Sequence, residues 1–166
     1  MQLFFVWLHI LAAAVWIGGM AFLALVVLPV VKREEYREHA SRLIHLTGTR
    51  FRTIGWICLI VLVVTGFVNL AFRGIGWAVL VNAGFWQSPF GSVLGLKLLT
   101  VAVIVGLSAW HDFGVGPRAT AAWQADPSSA EALRLRRAAS WFGRLNLLLA
   151  LAAVALAVAL VRGGIF

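Results

Sequence analysis

The sequence predicts an all-α fold, an integral membrane four-helix bundle with both termini outside and short interfacial helices in its loops. Of its 166 residues, 62% are hydrophobic and 12% are charged, and the mean hydropathy is +0.95. Soluble domains carry about one quarter charged residues. Four apolar runs are each long enough to cross a bilayer, which takes about 20 helical residues. Most cations lie in two of the loops, so the charge pattern alternates along the chain.

The first apolar run, residues 3–31, contains no carboxylate, lysine or arginine. It is too long for a cleavable signal peptide and lacks a basic start and a cleavage site. Pro29 is expected to kink or end this helix. Its small residues allow another helix to approach closely, and they are Ala12, Ala13, Gly18 and Gly19. A single membrane domain over residues 1–166 is expected, with spans at 3–31, 53–72, 92–113 and 141–161.

The connecting segments also have predicted structures. The polar stretch 32–52 is expected to continue the first helix into water and to turn near Thr47-Gly48-Thr49. The aromatic, nearly uncharged stretch 73–91 predicts a short interfacial or re-entrant segment. The Asp126-Pro127-Ser128-Ser129 sequence is a cap signal for a short helix before the fourth span.

The cations predict the orientation of the bundle. Six lie in the first loop and five between the third span and the start of the fourth, whereas the second loop and the C-terminal tail have one each, Arg73 and Arg162. The first-loop set is Lys32, Arg33, Arg37, Arg42, Arg50 and Arg52. Because cations favour cytoplasmic loops, both termini are expected in the periplasm of a bacterium, with the bundle in its cytoplasmic (inner) membrane. Topology and anionic lipid thus explain the net charge of +8 better than nucleic acid does.

One layer of polar residues is predicted in the outer half of the bundle. At about 1.5 Å per residue, His9 and Lys97 fall at similar depths, with Thr65 and Asn69 on one helical face nearby and Arg73 above them. An ionisable residue inside a span suggests a functional site. Two plainer explanations stay open. His9 can be an interfacial residue that is hydrogen-bonded to a backbone carbonyl, and Lys97 can extend its side chain to the outer headgroups.

A second polar layer is predicted near the inner surface. Its members are His45, Arg50, Arg52, His111, Asp112, Arg144 and Asn146. His111 follows Lys97 by about 21 Å along a helix, so the two layers cannot share one small ligand. A second cofactor near His45 and His111 stays open.

Several short sequence segments show a resemblance to a known family. These are WLHILAAAVWIGGMAF at 7–22, Thr65-Gly66, SPFGSVLGLKLLTVAV at 88–103 and WFGRLNLLLALAAVALA at 141–157. Together they resemble the copper-resistance D (CopD) family of bacterial membrane proteins. The first and third spans are also similar to HemJ-type protoporphyrinogen oxidases, with AWHDFG at 109–114 similar to the end of a HemJ helix. In that group a histidine early in the first span and a lysine early in a later span serve haem binding and activity. The matching positions are His9 and Lys97.

The resemblance implies two chemistries. A haem b or porphyrin site needs one or two axial ligands and cations for the propionates. His9 is then the metal ligand, Lys97 a second ligand or catalytic proton carrier, and Asn69 and Arg73 cofactor-binding groups. Copper handling needs soft or clustered ligands, and Met20 and Cys58 stand singly in the sequence.

The leading hypothesis is therefore a haem-binding redox protein, an oxidoreductase that oxidises a tetrapyrrole or exchanges electrons with quinone. Copper transport or resistance is the first alternative. The second is a non-catalytic accessory subunit of a larger membrane complex. Homo-oligomerisation stays open, and the bilayer itself is an expected partner.

Overall fold

A computed structural model describes residues 1–36, 39–126 and 128–162. Arg37, counted above among the loop cations, and Pro127 of the cap signal lie outside these residues. Four long helices are apolar enough to cross a membrane. They are α1 (Gln2–Val31), α2 (Ala40–Phe72), α5 (Pro89–Ala125) and α6 (Ala130–Arg162), and the short helices α3 (Trp77–Leu80) and α4 (Ala83–Trp86) lie between α2 and α5. The expected helical membrane bundle is confirmed.

Helix α1 changes its winding before it ends. It is α-helical over Gln2–Phe22, forms a π-helical turn over Leu23–Val27 and returns to α-helix over Leu28–Val31. The Leu28 N–H bonds the Leu23 carbonyl five residues back. Pro29 has no N–H and its ring crowds the carbonyl four residues earlier, and a wider π turn accommodates that crowding. The helix stops two residues after Pro29, so the end expected at this proline is confirmed. The expected continuation of the helix beyond residue 31 is wrong, because residues 32–36 form a turn and a 3-10 turn.

The turn expected near Thr47-Gly48-Thr49 does not exist. Helix α2 is continuous from Ala40 to Phe72, and the chain reverses earlier, through a 3-10 turn at Glu34–Tyr36. The threonine hydroxyls do not compete with the helix, because they bond carbonyls within it: Thr47 Oγ1 donates to the Leu43 carbonyl at 2.7 Å. Gly48 has open space around it and is tolerated within the helix.

Two short helices occupy the aromatic second loop, as predicted. Asn82 caps α4 by accepting a hydrogen bond from the Gly84 N–H, and Trp86 Nε1 donates to the Leu80 carbonyl at 3.0 Å. Ser88 then starts α5, since its Oγ accepts from the Gly91 N–H at 3.0 Å and donates to the Phe85 carbonyl. Such caps satisfy amides that have no partner within the helix.

Helix α5 has a π turn of its own. It is α-helical over Pro89–Ala109, π-helical over Trp110–Val115 and α-helical again over Gly116–Ala125, and Pro117 follows the π turn as Pro29 does in α1. The predicted loop over 114–140 is therefore mostly helix. The Asp126–Ser129 cap is confirmed, because Ser129 Oγ accepts from the Ala132 N–H. The helix that it starts is not short but runs on as α6 to Arg162.

The four long helices alternate in direction. Gly19 of α1 lies against the Phe51 ring of α2, and Trp16 lies 3.6 Å from the Cβ position of Gly55. Glycines on one helix thus face aromatic rings on the other, so the small-residue strip works as expected at Gly19, whereas Gly18 faces open space.

All four long helices contribute to one buried cluster at the centre of the bundle. Its members are Ala12, Trp16, Cys58, Leu59, Ile104 and Ala150, and Met20 packs against it. We call the end that holds residue 1, residues 73–88 and Arg162 the terminal end, and the opposite end the basic end.

Candidate functional site

His9 lies in α1 near the terminal end and faces α2. Its Nδ1 is 2.7 Å from Thr65 Oγ1, and its Cε1 is 3.7 Å from where a Cβ on Gly66 would stand. A bare glycine thus leaves room for the imidazole, and the neighbouring threonine orients it. Thr65 is one of the two buried polar residues of the described chain, with 2% of its surface exposed. His9 itself is only partly buried.

The Thr65 hydroxyl links His9 to the backbone of α2. Thr65 Oγ1 lies 2.6 Å from the Val61 carbonyl oxygen and 2.7 Å from His9 Nδ1, and a hydroxyl carries a single proton. When Thr65 donates that proton to the Val61 carbonyl, it accepts from His9 Nδ1–H, and Nε2 of the neutral imidazole has the lone pair. Histidines that bind a metal through Nε2 have their Nδ1–H held by a partner in this way.

One cation of the predicted outer layer, Lys97 of α5, lies near the imidazole of His9. A second cation, Arg73 at the end of α2, lies near Lys97. Lys97 is partly buried and Arg73 is exposed. The structure thus brings together His9, Lys97 and Arg73 from three helices, while their functional roles stay predictions.

Asn69 supplies an acceptor without a donor. It lies one turn after Thr65 on α2, and its buried Oδ1 has no hydrogen-bond partner among the described residues. An unpaired buried acceptor costs about 1–3 kcal/mol, so a donor from a ligand or a water would stabilise this site. Asn69 Oδ1 is therefore an acceptor atom of this layer that is available to a ligand.

The charge at the terminal end is unbalanced. Every described aspartate and glutamate belongs to the basic half of the bundle or its turns, and they are Glu34, Glu35, Asp112, Asp126 and Glu131. Lys97 and Arg73 consequently have no side-chain carboxylate near them among the described residues. Two neighbouring cations inside or beside a membrane favour an anionic partner, since like charges repel strongly at low dielectric.

The predicted inner layer divides in the structure. His111, Asp112 and Arg52 come together: His111 Nδ1 is 2.8 Å from Asp112 Oδ1, and Arg52 reaches the Asp112 backbone carbonyl at 3.4 Å. Asn146 lies one turn further into the bundle, where its Nδ2 donates to Ser108 Oγ at 2.8 Å. The other three residues of the predicted layer, His45, Arg50 and Arg144, are exposed and belong to no such cluster.

Two residues of this inner cluster were missed by sequence reasoning. Trp56 Nε1 donates to Asp112 Oδ2 at 2.9 Å, so the indole holds one carboxylate oxygen while His111 holds the other. Ser108 is buried beside Asn146. The available signals were helical spacings, because Trp56 follows Arg52 by four residues and Ser108 precedes His111 by three, which places each pair on one helix face.

Two apolar grooves lie away from the His9 layer. One, of about 330 Å³, lies between α1 and α2 and includes Gly19, Phe51 and Arg50. The other, of about 230 Å³, lies along α6 and includes Trp141 and Phe142. Neither is lined by His9 or Lys97.

Comparison with known proteins agrees with the resemblance seen in the sequence. The family model described as copper resistance protein D (CopD) matches residues 45–160. A protein of Aquifex aeolicus (strain VF5), described as an uncharacterized protein, is 34% identical over 160 residues, which are 95% of this chain and 94% of the relative. No solved structure matches the chain. The family match covers more than half of the chain, including α5 and most of α2 and α6, and the chain belongs to the copper resistance protein D (CopD) family.

Proposed function

We propose that this membrane protein binds an anionic tetrapyrrole, haem b or a porphyrin, at its terminal end, and that the bound group serves a redox reaction. The reaction is electron transfer to or from quinone, or oxidation of the tetrapyrrole itself. The bundle lies in the bacterial cytoplasmic membrane with both termini in the periplasm, in keeping with the eleven cations of the basic end.

The observation that carries the proposal is the contact between His9 Nδ1 and Thr65 Oγ1 at 2.7 Å. In the tautomer that donates Nδ1–H to Thr65, the Nε2 lone pair is available to an iron atom, and a proximal histidine is a common axial ligand of haem. His9 is partly exposed, and it lines neither of the two grooves described above. When bound, haem supplies the one-electron chemistry that the side chains lack.

The neighbouring residues fit the remaining needs of such a ligand. Lys97 and Arg73 have no carboxylate near them among the described residues, and they suit the propionates that every haem b and protoporphyrin carries. Lys97 also stands where it can be a second ligand or exchange a proton with the bound group. Asn69 Oδ1 lacks a donor and can accept a hydrogen bond from a porphyrin N–H or from a water.

An optical spectrum tests the proposal directly. Protein expressed with ample haem should show a Soret band, which His9→Ala should abolish and which His45→Ala, a change at an exposed histidine, should leave intact. Thr65→Val keeps the imidazole but removes the acceptor for Nδ1–H, and loss of such a partner lowers metal-site affinity roughly 10- to 100-fold. Absence of a band in the wild-type protein, or the same band in His9→Ala, would refute the proposal.

Copper transport or resistance is the second candidate, because the family is named for it. The donor set fits poorly: among the described residues no group of three or more His, Cys, Asp or Glu side chains could hold a metal ion. Cys58 lies in the central cluster, and Met20 packs against that cluster. The sulfur atoms of these two residues are the soft ligands that the centre of the bundle provides. Stoichiometric copper that survives His9→Ala and disappears in Cys58→Ser would favour this function.

The third candidate, an accessory subunit, predicts neither cofactor nor copper. The exposed faces of the four helices would then contact a larger membrane complex. Stable co-purification with such a complex, together with an unchanged complex in His9→Ala, is its expected result.

A further inference from the structure

The groove between α1 and α2 near the basic end combines apolar walls with one cation. Its walls include Phe22 of α1 and Leu46, Phe51 and Ile54 of α2, and the groove measures about 330 Å³. Gly19 forms part of its floor, because the ring of Phe51 lies directly over this residue. Arg50 is exposed at the groove.

Arg50 has no anionic partner in the described protein. No described aspartate or glutamate forms an ion pair with it, and no described hydrogen bond uses its guanidinium. It lies one turn before the apolar run of α2, which places it at the level of lipid headgroups rather than in bulk water. The apolar surface continues past it on both helices, since Leu46 of α2 is 52% and Phe22 of α1 57% exposed at the groove. A guanidinium in such surroundings is stabilised by a nearby anion.

We propose that this groove is a binding site for one anionic phospholipid, with an acyl chain between α1 and α2 and the phosphate at Arg50. A planar guanidinium forms paired hydrogen bonds with phosphate oxygens. Basic pockets between membrane helices bind anionic headgroups for the same reason. The walls are almost wholly apolar and suit a hydrocarbon chain, while Arg50 distinguishes an anionic headgroup from a zwitterionic one.

Charge complementarity favours a lipid over a protein helix as the occupant. The five described cations of the first loop, Arg50 among them, lie at this end of the bundle. A second copy of the chain would bring the same cations into contact and would be repelled. An anionic lipid is attracted instead, and it is abundant around any bacterial membrane protein.

Lipid retention measured by native mass spectrometry tests this site. The full-length protein is reconstituted in nanodiscs that contain phosphatidylglycerol and phosphatidylcholine with identical acyl chains, and it is then released from them. The wild-type protein should retain one phosphatidylglycerol at roughly tenfold preference. Both headgroups present a phosphate to Arg50, but the trimethylammonium group of phosphatidylcholine is repelled by Arg50 and the neighbouring cations. Arg50→Gln should lose the preference, and Ile54→Trp, which fills the groove, should lose the lipid.

Arg134→Gln is the matched control. It removes an exposed arginine at the same end of the bundle but outside the groove, so its lipid retention should equal that of the wild-type protein. Circular dichroism and size-exclusion chromatography establish that each variant is folded. Equal retention of the two lipids by the wild-type protein, or equal effects of Arg50→Gln and Arg134→Gln, would overturn the proposal. So would a dimer that carries no lipid, because a second copy would then occupy the groove.

Discussion

Gly91→Ala should loosen the junction between the short helices and α5. Gly91 is buried, and a Cβ added there would overlap the carbonyl oxygen of Phe85 and come within 2.8 Å of its carbonyl carbon. These are backbone atoms, fixed by the Ser88 cap that bonds both Phe85 and Gly91. The added methyl group therefore cannot be accommodated by rotating a side chain, and part of the backbone has to move.

A second glycine in the same helix isolates the cost of this overlap. Gly106 has nothing within 4 Å of its Cβ position, so Gly106→Ala has only the helix-propensity gain of up to about 1 kcal/mol. Overpacking costs about 1–3 kcal/mol. Because the propensity gain is similar at both sites, the free energy of unfolding should be about 1–3 kcal/mol lower in Gly91→Ala than in Gly106→Ala. That difference is roughly a 5- to 150-fold change in the folding equilibrium.

Reversible denaturation in detergent micelles, followed by tryptophan fluorescence, measures both variants. Trp86 is a useful reporter, because its ring lies 3.3 Å from the Cβ position of Gly95, one turn after Gly91. Its emission should shift in Gly91→Ala even where the protein is folded. Equal unfolding free energies for the two variants would show that the Phe85–Gly91 contact is not tight, and the reasoning would fail.

Two further predictions concern the basic end. Trp56→Phe removes the donor to Asp112 Oδ2 and should lower the free energy of unfolding by about 1–3 kcal/mol. Trp77→Phe, at a residue that is 78% exposed, should leave this free energy unchanged. Similar denaturation curves for the two variants would contradict the role of the indole. Hydrogen bonds from Ser128 lower the pKa of the Asp126 carboxyl, so its contribution to stability is complete above the ordinary carboxyl pKa of about 4 and is lost as the pH falls through the lowered value. The unfolding temperature should therefore fall at acidic pH, and Asp126→Asn should reduce this fall in a pH series of thermal unfolding. The same fall in Asp126→Asn as in the wild-type protein would contradict the prediction.

The apolar runs predicted the four spans because bilayer crossing depends on length and hydropathy, which are local properties of the sequence. The helix ends were less predictable. Gly48 between two threonines is typical of a turn, yet α2 continues through it, because the hydroxyl of Thr47 bonds within the helix. The long helices α5 and α6 likewise extend well beyond their apolar runs, since polar residues such as Arg134 and Gln124 are tolerated in a helix outside the membrane.

The site was predictable in depth but not in contacts. Counting residues from the ends of the spans placed His9 and Lys97 in one layer, and the structure does place Lys97 near His9. Counting could not show which way each side chain points, so the bond between His9 and Thr65 had to come from the packing of α1 on α2. The same limit explains Trp56: its partner Asp112 is 56 residues away, and only the assembled helices bring the two together.

The π turns of α1 and α5 have an evolutionary consequence. In each, an amide bonds the carbonyl five residues back, as Leu28 does with Leu23 and Gly116 with His111. A π turn is equivalent to one residue inserted into an α-helix, so losing a single residue from Leu23–Val27 would restore ordinary winding without disturbing the helix on either side. Homologous chains can therefore differ in length by one position here, inside a helix long enough to cross a membrane, where gaps are otherwise hard to accommodate.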